Sequence, residues 1–152
     1  MTHSGPQVEV LLVEDNDADV ELTLRSLQKG GHLTNPVHVV RDGQEALDYM
    51  FCSGAYSDRQ IDDTPKVILL DIQMPRIDGL EVLRRLKADE RTKRVPVVLL
   101  TSSQEDQDMV RGYGDGANSY IVKPVDFEKF GAVMAGLGMY WMLLNRIPYG
   151  DE

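Results

Sequence analysis

The sequence predicts an α/β domain in which helices cover both faces of one parallel sheet. Short apolar runs alternate five times with segments of helical spacing, which is the order expected of strands joined by helical crossovers. Three of these runs are continuously apolar over at least four residues and rich in Val, Ile and Leu. Such runs are typical of strands buried on both sides. The 152 residues fit one domain with a substantial core.

The predicted strands are the five apolar runs Val8–Val13, Val37–Val40, Val67–Leu70, Val95–Leu100 and Tyr120–Val122. Aspartates precede the helical segments. Asp17 and Asp78 are expected to cap the first and third helices, while the second and fifth helices are expected to follow Asp42 and Asp126. The apolar positions that mark the first four helices are Val20, Leu24 and Leu27; Leu47 and Met50; Leu80, Leu83 and Leu86; and Met109, Val110 and Tyr113.

Two segments exceed a minimal α/β unit. Residues Ser53–Thr64 form a polar loop of about a dozen residues, where such connections usually have about 2–6. The last helix is predicted to extend from about residue 126 to 147, which would carry its end roughly 10 Å past the domain. Its apolar seam recurs at spacings of three and four, as Phe127, Phe130, Met134, Leu137, Trp141 and Leu144.

An unpartnered apolar seam at the end of a domain usually marks an interface. The hypothesis is a symmetric homodimer, the commonest oligomer, with an interface formed by Phe130, Leu137, Tyr140, Trp141 and Leu144. The first half of the seam must also pack on the sheet. The alternative is that the second half folds back on its own domain.

The composition excludes several classes of function. The net charge is -9, with 25 acidic against 16 basic residues, which argues against nucleic-acid binding through a basic surface. No apolar run approaches the roughly 20 residues that span a bilayer, and the N-terminus lacks the features of a signal peptide. The single cysteine, Cys52, allows no internal disulfide. A cytoplasmic protein without membrane contact is therefore expected.

Polar residues follow four of the predicted strands. Glu14 and Asp15 come after the first strand, Asp71 after the third, Thr101 after the fourth, and Lys123 after the fifth. The carboxyl ends of parallel strands meet at one edge of the sheet, where ligands bind. Each residue alone has a simpler explanation, such as a helix cap or a surface lysine, but their shared placement favours a site.

The residue types at this edge favour phosphoryl transfer. Three clustered carboxylates repel one another, and a hard divalent cation such as Mg²⁺ removes the conflict while leaving room for phosphate oxygens. A lysine and a hydroxyl add the positive charge and the hydrogen bond that a phosphoryl group requires. Asp71 would then be the nucleophile that forms an aspartyl phosphate.

Four motifs carry a resemblance to a known family: "VLLVEDN", "VILLDIQMPRIDGLEVL", "PVVLLTSS" and "GANSYIVKP". In order and spacing they resemble the receiver domain of two-component response regulators, from about Val8 to Met134. The resemblance implies a flavodoxin-like, doubly wound, five-stranded parallel sheet in the order 2-1-3-4-5. It also implies that a sensor histidine kinase phosphorylates Asp71.

The same resemblance implies a role for each residue at the edge. Mg²⁺ would be held by Asp15, Asp71 and the carbonyl of Gln73, with Glu14 acting through water. Thr101 and Lys123 would contact phosphoryl oxygens, and Tyr120 would be the aromatic switch partner of Thr101. The peptide bond between Lys123 and Pro124 would be cis.

The leading hypothesis is a stand-alone receiver, one domain over residues 1–152 with a core at about 8–138. It would switch protein contacts and catalyse only its own phosphorylation and dephosphorylation. A phosphatase of the haloacid dehalogenase type would need an acid where Gln73 stands. A pseudo-receiver that binds partners without phosphorylation is the other alternative. The long loop and the "YWMLLNRIP" tail resemble small response regulators of phytochrome-type histidine kinases.

The fourth helical segment, "QEDQDMVRGYGDGAN", contains three glycines and few strong helix formers, so its intrinsic stability should be low. A weak helix beside the site can shift when phosphorylation adds negative charge. An ordinary glycine-rich loop is the alternative.

Overall fold

The computed structural model describes residues 8–29, 33–113 and 119–144. Five parallel strands form one sheet in the order β2-β1-β3-β4-β5, which confirms the predicted fold. The strands are β1 Val10–Val13, β2 Val37–Val40, β3 Val67–Asp71, β4 Val97–Thr101 and β5 Ser119–Val122. β4 begins two residues later than predicted, after Pro96, whose nitrogen has no hydrogen to donate to a neighbouring strand.

The helices are α1 Asp17–Gln28, α2 Gly43–Phe51, α3 Gly79–Lys87, α4 Gln104–Tyr113, α5 Phe127–Gly136 and α6 Trp141–Leu144. Asp42, Asp78 and Asp126 each cap the helix that follows by accepting a hydrogen bond from a backbone N–H of its first turn. The expectation that Asp17 caps α1 was wrong. Asn16 is the cap, because its side chain accepts from the N–H of Asp19 at 2.9 Å.

The core lies on both faces of the sheet. On one face, residues of β1, β3 and β4 pack against α2 and α3 through Leu47, Met50, Val82, Leu83 and Leu86. On the other face, they pack against α1 and α5 through Leu27, Phe130 and Met134. This double cover explains the continuously apolar strands, since both sets of alternating side chains are buried. Among the described residues, no helix has the length and apolar character needed to cross a membrane.

The C-terminal helix is interrupted, which corrects the prediction of one helix over about residues 126–147. α5 ends at Gly136, and the backbone of Gly138 takes a left-handed conformation with φ of 73°. The N–H of Met139 then bonds to the carbonyl of Met134 at 2.7 Å, a bond that closes the helix end. α6 begins three residues after Gly138. Residues 145–147 lie outside the described residues.

The break also changes the predicted interface. Phe130 is fully buried in the core, so it is not available to a second molecule and its assignment to the interface was wrong. Leu143 is buried against the same core, which means that α6 folds back on its own domain rather than extending past it. Tyr140 and Trp141 remain 43% and 48% exposed. Leu137 is partly buried, and the side chain of Leu144 lies outside the described residues.

The long loop is anchored to the edge of the sheet by an aromatic cluster, defined as His38, Tyr49, Tyr56, Arg59 and Glu45. The His38 ring stacks on Tyr49 with 4.8 Å between ring centroids, and Tyr56 meets Tyr49 edge-on at 5.0 Å. The guanidinium of Arg59 lies 3.8 Å above the Tyr49 ring and donates to the backbone carbonyls of Tyr49 and Asp63.

The polar atoms of this cluster form a continuous chain. The Tyr56 hydroxyl donates to Glu45 Oε2 at 2.7 Å and contacts His38 Nε2 at 3.0 Å. The other carboxylate oxygen of Glu45 accepts from the N–H of Arg41. Burial and the hydrogen bond to Glu45 raise the pKa of Tyr56. The cluster thus joins β2, α2 and the loop through both ring contacts and hydrogen bonds.

Candidate functional site

The register of the sheet brings the first two carboxylates together. β1 and β3 pair up to Val13 and Leu70, so Glu14, which follows β1, lies beside Asp71, the last residue of β3. Glu14 is 1% exposed and Asp71 is 3% exposed. Carboxylates so deeply buried require compensation by a positive charge or by hydrogen bonds.

Lys123 provides that charge from the end of β5. Its Nζ lies 2.7 Å from Glu14 Oε1, 3.3 Å from Asp71 Oδ2 and 3.2 Å from Asp19 Oδ2. Two backbone groups assist, because the N–H of Asn16 donates to Glu14 at 3.2 Å and the N–H of Gln73 donates to Asp71 Oδ1 at 3.3 Å. One ammonium therefore serves three carboxylates.

The ionisation of the site reflects this imbalance. Burial, and then the charge of Glu14, raise the pKa of Asp71 above its ordinary value, although Lys123 opposes the shift. Burial also opposes the charge of Lys123, but its hydrogen bond with Glu14 and the attraction of Asp71 outweigh burial and raise its pKa. The lysine is thus firmly protonated, while Asp71 carries an unfavourable charge that a second cation would relieve.

Asp15 completes the acidic edge, defined as Glu14, Asp15, Asp71, Thr101 and Lys123. One carboxylate oxygen from each of Glu14, Asp15 and Asp71 lies within 4.8 Å of the others. Glu14 and Asp71 are buried, whereas Asp15 is exposed at the mouth of the site. Three oxygen donors open to solvent on one side suit a hard divalent cation that keeps several waters.

Thr101 contributes a buried hydroxyl to the site. Its side chain is fully buried, and Oγ1 has no hydrogen-bond partner among the described residues. A buried unpaired hydroxyl is costly and calls for an explanation. Tyr120 lies on the neighbouring strand, beside Leu99 and on the same face as Thr101, where it is partly buried against the core. The Lys123–Pro124 peptide bond is cis.

Gly79 allows the turn that follows Asp71 to close tightly. A Cβ atom at this position would lie 2.3 Å from the carbonyl oxygen of Asp71 and 2.8 Å from Cα of Ile72. The N–H of Gly79 donates to the carbonyl of Ile72 at 3.0 Å. Only glycine lets the start of α3 approach the end of β3 this closely, so this packing fixes the backbone that carries Asp71.

Three further residues lie at the edge: Ser102, which directly follows Thr101 but was assigned no role from the sequence, and Asp19 and Asp106, which were missed. Asp106 is fully buried and accepts from Gln73 Nε2 at 2.5 Å, from Ser102 N at 3.1 Å and from Ser102 Oγ at 3.2 Å. Burial opposes its charge, but these hydrogen bonds outweigh it and hold the pKa of Asp106 below its ordinary value. Asp19 and Asp106 both lie in first helical turns, where acidic residues are common, so the sequence offered no distinct signal.

The surroundings of Gln73 bear on the phosphatase alternative. Gln73 occupies the position two residues after Asp71, and its side-chain amide is held by Asp106. A neutral amide cannot serve as a general acid there.

The model of the response regulator receiver domain family matches residues 10–135. The chain is 39% identical over 141 residues to the probable methanogenesis regulatory protein FilR2 of Methanothrix harundinacea, covering 91% of this chain and 86% of that protein. It is 31% identical over 145 residues to response regulator Rcp1 of Synechocystis sp., covering 95% and 96%.

Three solved structures resemble the chain along most of its length. The bacteriophytochrome response regulator AtBRR matches with a TM-score of 0.80 and 47% identity, over 90% of this chain and 96% of that one. The phosphorylated cyanobacterial phytochrome response regulator RcpA matches with a TM-score of 0.69 and 34% identity, over 90% of this chain and 94% of that one. The Mn²⁺-bound form of Rcp1 matches with a TM-score of 0.67 and 32% identity, over 90% of this chain and 94% of that one.

Proposed function

Because the chain belongs to the response regulator receiver family, we propose that Asp71 is its phosphoacceptor and that a phytochrome-type sensor histidine kinase is the donor. The chain is a signalling protein rather than a conventional enzyme. The observation that carries the assignment is the buried Asp71 carboxylate, 3.3 Å from the Lys123 ammonium and beside two further carboxylates. The similarity to phytochrome response regulators supports the choice of donor.

The residues of the acidic edge divide the reaction between them. An Asp71 carboxylate oxygen attacks the phosphorus of the donor, the new P–O bond forms, and the P–N bond to the donor's histidine breaks. The leaving imidazole takes up a proton from solvent. Lys123 is placed to stay with the phosphoryl oxygens as negative charge accumulates, and the free hydroxyl of Thr101 can donate to one of them. The transfer thus depends on positioning and charge rather than on acid–base groups.

Mg²⁺ is the proposed metal. Glu14, Asp15 and Asp71 fit it as an oxygen donor set, and the carbonyl of Gln73 is proposed as a further ligand. When bound, the metal would neutralise charge on the carboxylates and the phosphoryl group. The direct contact of Glu14 with Lys123 supports an outer role for Glu14, acting on the metal through water. The single cysteine of the chain supports a cytoplasmic setting.

The phosphoacceptor assignment is tested by intact mass after incubation with acetyl phosphate and Mg²⁺. The wild-type protein should gain the mass of one phosphoryl group, and Asp71→Asn should gain none. Asp106→Asn is a matched control, because it makes the same change at another buried aspartate and should keep the adduct. The same adduct on Asp71→Asn would contradict the assignment. A wild type that gains no adduct from acetyl phosphate or from a purified kinase would instead favour the pseudo-receiver.

We further propose that the phosphorylated protein acts by self-association through the surface of Tyr140 and Trp141. These adjacent side chains are about half exposed, and a pair of large exposed aromatic residues is typical of the centre of an interface. They lie at the junction of α5 and α6, where Phe130, Met134 and Leu143 are buried in the core instead. A symmetric pair of such patches would bury both.

Sedimentation equilibrium tests this surface. The wild type should dimerise in the micromolar range, and Trp141→Ala should weaken the dimer about tenfold or more. Leu22→Ala is the control, since Leu22 is similarly exposed on α1 and lies outside the patch. A wild type that stays monomeric at high micromolar concentration, with and without a phosphoryl mimic, would remove the dimer.

A further inference from the structure

Asp106 is a buried carboxylate that the phosphoryl-transfer chemistry does not use. It lies in the first turn of α4 and is fully buried. Each of its oxygens is bound to a different loop. Oδ1 accepts from the side chain of Gln73, which follows β3, and Oδ2 accepts from Ser102, which follows β4. Burying a carboxylate costs free energy, and well-formed hydrogen bonds are needed to offset that cost.

Each of the two loops lies next to a group whose hydrogen bonding would change when Asp71 is phosphorylated. The backbone N–H of Gln73 donates to Asp71 Oδ1 at 3.3 Å. Ser102 directly follows Thr101, whose buried hydroxyl has no partner among the described residues. A change at Asp71 would therefore reach Asp106 along two short routes, one from each side.

A helix cap does not account for these contacts. Ser103 Oγ accepts from the N–H of Asp106 at 3.1 Å, which is the first half of a capping box. The second half would use the N–H of the cap residue itself, Ser103. Asp106 instead binds the residue before the cap and a side chain from another loop. Its bonds thus connect α4 to its surroundings.

Asp106 attaches the start of α4, whereas Val110 packs against the core one turn later. Among its described side chains, Gln104 to Val110, Asp106 is the only buried one. Apolar contacts allow small displacements at little cost, whereas hydrogen bonds weaken steeply with distance and angle. Because directional bonds hold the start of α4, it must follow the loops to which Asp106 is bound.

We propose that Asp106 is a positioning residue that makes the start of α4 follow the phosphorylation state of Asp71. The inference rests on the proposed phosphoacceptor role. Phosphorylation converts one carboxylate oxygen of Asp71 into an ester oxygen and removes the carboxylate charge, which weakens the acceptor of the Gln73 N–H. The phosphoryl oxygens also give the Thr101 hydroxyl an acceptor. Gln73 and Ser102 then shift, and Asp106 transmits both shifts to α4.

Hydrogen exchange followed by mass spectrometry tests the coupling. The measured quantity is the ratio of exchange rates in α4 with and without acetyl phosphate and Mg²⁺, with the phosphoryl adduct quantified by intact mass in the same samples. In the wild type the ratio should differ from one by about fivefold or more, the lower end of typical coupling between sites. In Asp106→Asn, which should still be phosphorylated, the ratio should fall below about twofold. Glu105→Gln makes the same charge change at an exposed neighbour and should keep the wild-type ratio.

A purely structural role predicts a different result. Asp106→Asn would then raise exchange equally in both states and leave the ratio unchanged, which would overturn the proposal. If Asp106→Asn does not fold, Gln73→Ala and Ser102→Ala each remove one side-chain bond to Asp106, and wild-type ratios in both would also overturn it. A phosphorylated wild type without any change in α4 would do the same. Absence of the adduct from the wild type would show that the proposed phosphoacceptor role itself fails.

Discussion

The acidic edge and the aromatic cluster are both partly buried groups of polar side chains, but they differ in how far their hydrogen bonds are satisfied. In the aromatic cluster, the Tyr56 hydroxyl bridges His38 and Glu45, and both oxygens of Glu45 accept hydrogen bonds. At the acidic edge, the carboxylates of Glu14, Asp71 and Asp19 share the ammonium of Lys123, and the Thr101 hydroxyl has no partner within the described chain.

The difference separates polar groups that stabilise the fold from polar groups that await a ligand. Satisfied groups repay their burial within the protein, whereas unsatisfied groups cost stability until something binds. The same substitution should therefore have opposite effects in the two regions. Removing a polar atom should weaken the aromatic cluster, and should leave the acidic edge unharmed or more stable while its chemistry is lost.

Metal removal should give the largest effect, and only at the acidic edge. Excess EDTA, or Asp15→Ala in the presence of Mg²⁺, should slow phosphorylation by acetyl phosphate about a hundredfold or more, because the carboxylates and the incoming phosphoryl group then repel without compensation. The rate is measured from the growth of the adduct by intact mass. Tyr56→Phe, in the other region, should keep the wild-type rate. Normal phosphorylation in EDTA would contradict the metal site.

Deletion of the Tyr56 hydroxyl should give the next largest effect, on stability. Tyr56→Phe leaves Glu45 and His38 without their shared partner, so the free energy of unfolding should fall by about 1–3 kcal/mol. Urea denaturation measures it. Tyr140→Phe removes a hydroxyl from an exposed tyrosine and should change stability by less than about 0.5 kcal/mol. Equal losses in the two variants would mean that the hydrogen bonds of the cluster carry no stability.

Conversion of a carboxylic acid to its amide should change the free energy of unfolding in opposite directions in the two regions. Asp71→Asn removes one of three clustered carboxylates, and unfolding of the metal-free protein should become harder by about 1 kcal/mol, because like charges a few ångströms apart repel. Glu45→Gln removes a carboxylate that accepts two hydrogen bonds and should lower stability by a similar amount. Both are measured by urea denaturation in EDTA. A loss of stability in Asp71→Asn would show that its pairing with Lys123 outweighs the repulsion.

Sequence order predicts the acidic edge better than the aromatic cluster for a physical reason. In a parallel sheet, the residues at the carboxyl ends of the strands must reach the same edge, so Glu14, Asp71, Thr101 and Lys123 could be grouped from strand positions alone. The cluster joins residues of β2, α2 and a loop, whose approach depends on how the loop folds. No periodicity encodes that approach, so no pattern in the sequence joins His38 to Tyr56.

The C-terminal segment shows where a clear sequence pattern gave a wrong prediction. Its three-and-four spacing runs through Gly136 and Gly138 to Trp141, but Trp141 is 48% exposed, and the α6 residue that packs on the core is Leu143, which lies outside the seam. Spacing identifies the buried side only while the backbone stays helical, and it does not report where the helix ends. The left-handed conformation of Gly138 ends the helix, and the glycines in the sequence were the available signal.

Removal of the Thr101 hydroxyl should have the smallest effect on stability, although Tyr56→Phe also removes a hydroxyl. Oγ1 of Thr101 is buried without a described partner, so Thr101→Val keeps the volume and removes a polar atom that contributes no hydrogen bond. Unfolding free energy should stay within about 1 kcal/mol of wild type or rise, and the phosphoryl adduct should still form. The phosphorylation-dependent change in α4 exchange should shrink, since Thr101→Val removes the hydroxyl that would donate to the phosphoryl group and so removes one of the two routes to Asp106. A loss of about 2 kcal/mol or more would mean that Oγ1 is already satisfied in the resting protein, and the contrast with Tyr56 would then disappear.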